Sequence, residues 1–98
     1  MSKSLISDEE RCWVCYTTMN LHRHHIFYGR DNRLQSELQG CWVYLCSTHH
    51  NMSDRGVHFN KALDLRLKQE CQRRWESEKG TRADFIRLFG RSYLEEQT

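Results

Sequence analysis

The chain has 98 residues, with 38% hydrophobic and 29% charged residues, no proline and a formal net charge of +2. This composition indicates a soluble folded protein rather than a disordered one, and the longest apolar runs are too short to span a bilayer. We therefore predict a single domain over residues 1–98 with no membrane partner. The first ten residues, MSKSLISDEE, contain acidic residues where a secretory signal peptide would have its apolar stretch. We therefore expect a cytoplasmic protein.

The first half of the chain predicts two strands. After a short or frayed helical lead-in, RCWVCYTTMN suggests a tight turn that runs into a strand over residues 20–27. CWVYLC is rich in residues that favour strands and predicts the second one. The polar segment GRDNRLQSELQG between them contains glycines at both ends, which predicts a loop with at most one helical turn.

The second half predicts helices. One begins near Ser47 or Thr48, either of which can cap it. From Asn60, apolar residues recur at every fourth position between residues 63 and 75, which indicates an amphipathic helix that ends at Gly80. The segment TRAD at residues 81–84 matches a capping box and opens a last helix whose phenylalanines face inward. The sequence therefore predicts an α+β fold.

Two pairs of metal-ligating residues have the same spacing, Cys12-x-x-Cys15 and Cys46-x-x-His49. Two residues between ligands let both side chains turn toward one ion, and two such pairs complete a tetrahedral zinc site. The odd number of cysteines in a chain without a secretory signal also favours metal ligation over disulfides. The alternative is a set of buried free thiols. The remaining two cysteines lack a partner at ligand spacing and are predicted to lie in the core.

The remaining histidines cluster where the predicted strand and helix would meet. His24 and His25 are adjacent on a strand, so they point to opposite faces. His49 and His50 are about 100° apart on a helix, so they do not serve the same ion. An imidazole can bind a metal or move a proton near neutral pH. The alternative interpretation is a patch of solvated histidines.

These motifs resemble those of the HNH endonucleases. C-x-x-C, H-H-I and L-C-x-x-H-H follow one another in the family's order, and HHIFYG, Asn32–Arg33, LCSTHHN and GVHFN resemble its small phage and prophage members. The resemblance implies a zinc-stabilised ββα-metal core, also called a His-Me finger, over residues 12–58. A helical extension over residues 60–95 would follow it.

The resemblance also implies roles for single residues. His25 matches the general base that takes a proton from the attacking water. His24 and His50 match two ligands of a catalytic divalent ion, which would be Mg²⁺, Mn²⁺ or another transition metal. His58 is a third candidate, as a ligand or as a contact to the scissile phosphate, and Asp54 competes for that place.

The chain departs from the family at one position. The family's middle Asn usually lies nine residues before the closing histidine, and here Cys41 occupies that position. Asn32, Asn51 and a backbone carbonyl are open as replacements.

DNA is the partner that the resemblance implies, and a homodimer is left open. The net charge is weak for a protein that coats DNA, but a local basic patch matters more than the total. Each single cation could equally be an ordinary solvated charge. The candidate phosphate contacts are Arg23, Arg30, Arg33, Arg55 and Lys61.

Two alternatives to an enzyme remain. One is a zinc-stabilised DNA-binding module without catalysis, which would have no use for a His24–His25 pair facing His50. The other is an accessory module of phage packaging or recombination built on a nuclease core, and the absent middle Asn is the feature in its favour. A phage-encoded protein would act in the cytoplasm of its bacterial host.

Overall fold

The computed structural model describes residues 3–29, 31–52, 56 and 60–94, with the backbone alone at residues 51 and 52. Its elements are strand β1 (Leu21–His25), helix α1 (Asn32–Gln39), strand β2 (Trp42–Cys46), a π-helical turn (Thr48–Met52), helix α2 (Lys61–Glu78) and helix α3 (Arg82–Phe89). The predicted α+β class is confirmed. Four residues singled out in the sequence lie outside the described parts, namely Arg30, Asp54, Arg55 and His58.

The two strands form an antiparallel pair, as the strand predictions imply. In their register Leu21 faces Cys46, and His25 faces Trp42. The strand pair therefore brings the last residue of β2, a predicted metal ligand, to the first residue of β1. His24 and His25 lie at the other end of β1.

The prediction of a loop between the two strands is wrong, because this segment forms an eight-residue helix. The side chain of Ser36 is buried, donates to the carbonyl oxygen of Phe27 at 2.6 Å and accepts from its N–H at 3.0 Å. Gly40 ends the helix in a left-handed conformation with φ of 80°. A Cβ at Gly40 would lie 2.3 Å from the carbonyl oxygen of Lys3, so the position also requires a residue without a side chain.

The prediction of a short helical lead-in at the N-terminus is also wrong, since residues 3–20 contain no helix. The segment instead lies along the connection between α1 and β2. The N–H of Leu5 donates to the carbonyl oxygen of Gly40 at 2.8 Å, and the Ser4 hydroxyl donates to the carbonyl oxygen of Trp42.

Side-chain caps begin both α2 and α3, and the predicted capping box of α3 is confirmed. The Asn60 side chain accepts from the N–H of Leu63 at 3.1 Å and begins α2. Thr81 and Asp84 form the complete capping box of α3, in which each side chain accepts from the other residue's backbone N–H. These bonds satisfy backbone donors that the first helical turn leaves without partners.

One hydrophobic core joins the sheet to the helices. Phe27 follows β1, and its ring centroid lies 5.2 Å from that of Phe85 and 4.6 Å from that of Phe89. Cys41 and Cys71 are fully buried in the same core, as predicted. The neighbouring Cys41 thiol and burial raise the pKa of Cys71 well above its ordinary value, so Cys71 is a neutral core thiol. No helix within the described residues has the length and apolar character that a membrane span needs.

Candidate functional site

The four predicted zinc ligands, Cys12, Cys15, Cys46 and His49, come together as predicted. Their ligand atoms all lie within 4.8 Å of one another. We call this set the clamp. Cys12 and Cys15 lie in a turn, where the N–H of Tyr16 donates to the carbonyl oxygen of Cys12 at 2.9 Å. The clamp therefore connects this turn to the end of β2 and to the π-helical turn.

The distances in the clamp fit a tetrahedral ion. The Sγ atoms of Cys15 and Cys46 are 3.8 Å apart, and zinc–sulfur bonds of about 2.3 Å give a tetrahedron edge of about 3.8 Å. Nδ1 of His49 lies 3.3 Å from Sγ of Cys46 and 3.8 Å from Sγ of Cys12, which brackets the expected sulfur–nitrogen edge of about 3.6 Å. The clamp can thus hold a structural metal such as zinc.

The electrostatics of the clamp also favour a cation. Burial opposes ionisation of Cys12, but hydrogen bonds from the backbone N–H groups of Cys15, Cys46 and Val14 hold its pKa below the ordinary value. Burial and the neighbouring Cys12 and Cys15 thiols raise the pKa of Cys46. Ionisation is therefore favoured at Cys12 relative to an ordinary cysteine and opposed at Cys46, and a bound metal ion removes that opposition because it binds the deprotonated form.

A second group of side chains lies on the face of β1 that points toward the π-helical turn. His22 and His24 share this face because they are two residues apart on a strand. Their ring centroids lie 5.0 Å and 5.3 Å from that of His50. The Nδ1 atoms of His22 and His50 are 2.9 Å apart.

This nitrogen–nitrogen distance fits two ligands of one metal ion. Nitrogens bound at about 2.1 Å and at right angles to each other lie about 3 Å apart. The distance also fits a direct hydrogen bond between the rings. Within the described part of the chain, the clamp alone brings three or more metal-ligating atoms within 4.8 Å of one another. The group formed by His22, His24 and His50 is therefore more open than the clamp.

The opposite face of β1 carries Arg23 and His25, and both contact Glu37 of α1. Nε2 of His25 lies 2.9 Å from Oε1 of Glu37. Nη1 of Arg23 donates to the two carboxylate oxygens of Glu37 at 3.3 Å and 3.1 Å. The guanidinium of Arg23 lies 3.6 Å above the ring of Trp42, at a distance typical of cation–π stacking.

A single cleft of about 300 Å³ connects the two faces. The three histidines to which the resemblance assigns catalytic roles all line it, together with a tyrosine and two arginines. The lining residues are Arg23, His24, His25, Tyr28, Arg33 and His50. Lys61, the exposed first residue of α2, does not line it.

Tyr28 forms the wall of the cleft toward α2. Nζ of Lys68 lies 4.4 Å from the centre of the Tyr28 ring and 2.9 Å from the carboxylate of Asp64. Burial and the Asp64 charge raise the pKa of Tyr28. The phenol therefore stays protonated near neutral pH, and its hydroxyl hydrogen-bonds to the Asp64 carboxylate.

Two residues of the site, His22 and Glu37, were missed by sequence reasoning. The alternation of a strand places His22 on the same face as His24, so the spacing in LHRHH contained that signal. Glu37 lies in the segment that was predicted as a loop, and no motif pointed to it. Cys41, at the family's middle Asn position, is fully buried in the core and brings no polar side chain to the cleft.

Comparison with known proteins gave no family model, no curated protein and no solved structure that matches the chain. The geometry of the clamp and of the cleft is therefore what any assignment of function rests on.

Proposed function

We propose that the protein is a metal-dependent HNH-type endonuclease with a ββα-metal core, which hydrolyses phosphodiester bonds in DNA. The observation that supports this most is the shared cleft of His24, His25 and His50. Three imidazoles from two separate elements line one open space, and a clamp with the geometry of a zinc site holds one of those elements against the sheet.

The two faces of β1 divide the chemistry between them. His24 and His50 would hold the divalent ion, and the nitrogen–nitrogen distance of 2.9 Å makes His22 a further candidate ligand. A bound divalent ion would supply charge stabilisation at the phosphate and the departing oxygen. His25, on the other face, would take the proton from the attacking water.

The clamp supports this division because its last ligand is the residue before His50. Nδ1 of His49 lies 3.3 Å from Sγ of Cys46, whereas Nδ1 of His50 lies 2.9 Å from His22. One residue thus serves the structural metal and the next serves the cleft. We propose zinc for the clamp, since its ligand set of three thiolates and an imidazole is typical of structural zinc.

DNA would approach the cleft along its basic side. Arg33 is exposed and lines the cleft, while Arg23 lines it and pairs with Glu37. Phosphate contacts of this kind position a duplex without reading its sequence. A cytoplasmic location, in the bacterial host if the gene belongs to a phage, is part of this proposal, and a homodimer stays open.

The test is cleavage of supercoiled plasmid by the wild-type protein and by His25→Ala in the presence of Mg²⁺ or Mn²⁺. Loss of a general base lowers the rate by roughly 10²- to 10⁴-fold, so we expect nicking by the wild type and little by the variant. Arg73→Ala, an exposed change on α2, serves as the control and should cut like the wild type. Equal background cleavage by all three proteins would contradict the nuclease proposal.

Burial of Cys41 favours one second candidate, a zinc-stabilised accessory or DNA-binding module without catalysis. The cleft then lacks the amide that the family places there. A salt-sensitive shift of DNA mobility without any cleavage would support this candidate over the enzyme.

A further inference from the structure

We propose that Glu37 is the positioning residue of His25 and sets which ring nitrogen of that histidine carries the proton. The kinetic consequence rests on the proposed nuclease function, but the effect on the histidine ring does not. Glu37 would replace the family's middle Asn from a different place, since it belongs to α1 whereas position 41 lies just before β2.

The contact between the two side chains fixes the direction of the hydrogen bond. Oε1 of Glu37 lies 2.9 Å from Nε2 of His25. An ionised carboxylate can only accept, so Nε2 of His25 must donate. In the neutral imidazole the other nitrogen, Nδ1, then has the free lone pair that can take a proton. A general base with a single defined tautomer is what the chemistry requires.

The carboxylate of Glu37 is itself held in place. Arg23 donates to both of its oxygens, at 3.1 Å and 3.3 Å, and the Arg23 guanidinium stacks on Trp42 at 3.6 Å. Trp42 is buried, with 3% of its surface exposed, and faces His25 across the strand pair. The contacts therefore form one connected series, which runs from Trp42 through Arg23 and Glu37 to His25 and has both ends on the sheet.

The helix that carries Glu37 is equally constrained. Ser36, the preceding residue, makes two buried hydrogen bonds to the backbone of Phe27, two residues after His25. These bonds fix the distance between α1 and the end of β1. They anchor this eight-residue helix, whose leucines, Leu34 and Leu38, are exposed and whose buried residue is Ser36.

Position 41 offers no competing partner. Cys41 is fully buried, and its thiol neighbours Cys71 in the core. The orientation of the base, which the family's amide at position 41 would provide, is thus provided here by a carboxylate on the inter-strand helix. A carboxylate partner that orients a histidine is common at metal sites, where its removal typically costs about 10- to 100-fold in metal affinity or activity, and we take this as the scale for His25.

The first experiment observes the histidine ring directly. Long-range ¹H–¹⁵N spectra of ¹⁵N-histidine-labelled, zinc-loaded protein distinguish the two neutral tautomers, and His25→Ala identifies the His25 signals. We expect the Nε2–H tautomer in the wild type and a mixture in Glu37→Ala and in Glu37→Gln. Glu70→Gln removes a carboxylate that pairs with Arg73 and Arg74 on α2 and should leave the His25 signals unchanged.

The second experiment measures cleavage kinetics of the same proteins. Glu37→Ala should lower kcat by about 10- to 100-fold with little change in KM, and Glu37→Gln should lose less, because an amide oxygen can still accept from Nε2–H. Zinc content and the thermal midpoint show whether each variant is folded. Should Glu37→Ala not fold, the nearly isosteric Glu37→Gln carries both measurements.

The outcomes separate the two proposals. A wild-type protein that does not cut DNA overturns the nuclease function, and the ring spectra then decide alone whether Glu37 orients His25. A wild-type protein that cuts, with an unchanged tautomer and kcat in both Glu37 variants, overturns the role of Glu37 and leaves the nuclease function standing.

Discussion

The clamp and the histidine cleft lie next to each other, but they are built differently. The four clamp atoms all lie within 4.8 Å of one another, which leaves room for one ion and nothing else. The cleft has a volume of about 300 Å³ and brings its rings to centroid distances of 5.0 Å and 5.3 Å. Closed metal sites in proteins are structural and open ones admit a substrate. This difference supports the proposal that the clamp serves folding and the cleft serves chemistry.

The largest effect that this comparison predicts is the loss of the fold on removal of the clamp metal. Structural zinc contributes about 10–16 kcal/mol of apparent binding free energy in small zinc peptides, which exceeds the stability of most small domains. We expect Cys46→Ala, or a strong chelator, to abolish the cooperative thermal transition seen by circular dichroism. Metal analysis should give one tightly held zinc per wild-type chain and none in the variant.

Cys71→Ala is the matched control for that change, because it removes a buried thiol outside the clamp. It should retain the zinc and lose only core packing. A Cys46→Ala protein that still unfolds cooperatively with an unchanged midpoint would break the comparison, since the clamp would then not stabilise the fold.

A smaller and more local effect is expected from the cleft ligands. His50→Ala should keep the tightly held zinc and the fold but weaken binding of Mn²⁺, measured by titration calorimetry, by more than the roughly 100-fold that loss of an outer-sphere partner costs. His22→Ala tests the 2.9 Å contact. A ligand role predicts a loss of Mn²⁺ affinity of more than about 100-fold in this variant too, whereas an outer-sphere hydrogen bond to His50 predicts a loss of about 10- to 100-fold. Unchanged binding in His50→Ala would contradict a metal site in the cleft.

The smallest effect concerns the cap of α3, which lies outside both sites. It serves as a reference for the two larger effects, because it destabilises the fold without removing a side chain of either site. Thr81→Ala removes the hydroxyl that accepts from the N–H of Asp84 and should lower the free energy of unfolding by about 1 kcal/mol. Urea denaturation measures it. Zinc content and cleavage rate should stay at wild-type levels. A variant that lost either would show that general destabilisation disturbs the sites, and the clamp result would need reinterpretation.

The clamp could be predicted from the sequence because the spacing of its ligands is a local pattern. Pairs of ligands two residues apart can be recognised without knowledge of the fold, and the capping box of α3 was recognised for the same reason. The buried face of α2 was predicted from its four-residue period, and Leu67, Cys71 and Trp75 are indeed buried.

The cleft was predicted less completely because its contacts join distant segments. Helix α1 depends on the buried bonds of Ser36 to Phe27, which no local pattern encodes, and Glu37 was missed with it. The alternation of a strand places His22 on the same face as His24 and could have identified it. The motif of the HNH family includes only the adjacent pair His24 and His25, so His22 was not predicted. The enzymatic roles of these histidines stay predictions.

His49 and His50 are consecutive, and the first belongs to the clamp while the second contacts His22. A single peptide unit therefore sets the alignment between the two sites. One residue inserted between them would turn the second imidazole by about 100° if the turn stayed helical. The lengths of surface loops can vary in such a molecule, but we expect an insertion or deletion within this dipeptide to disrupt one of the two sites.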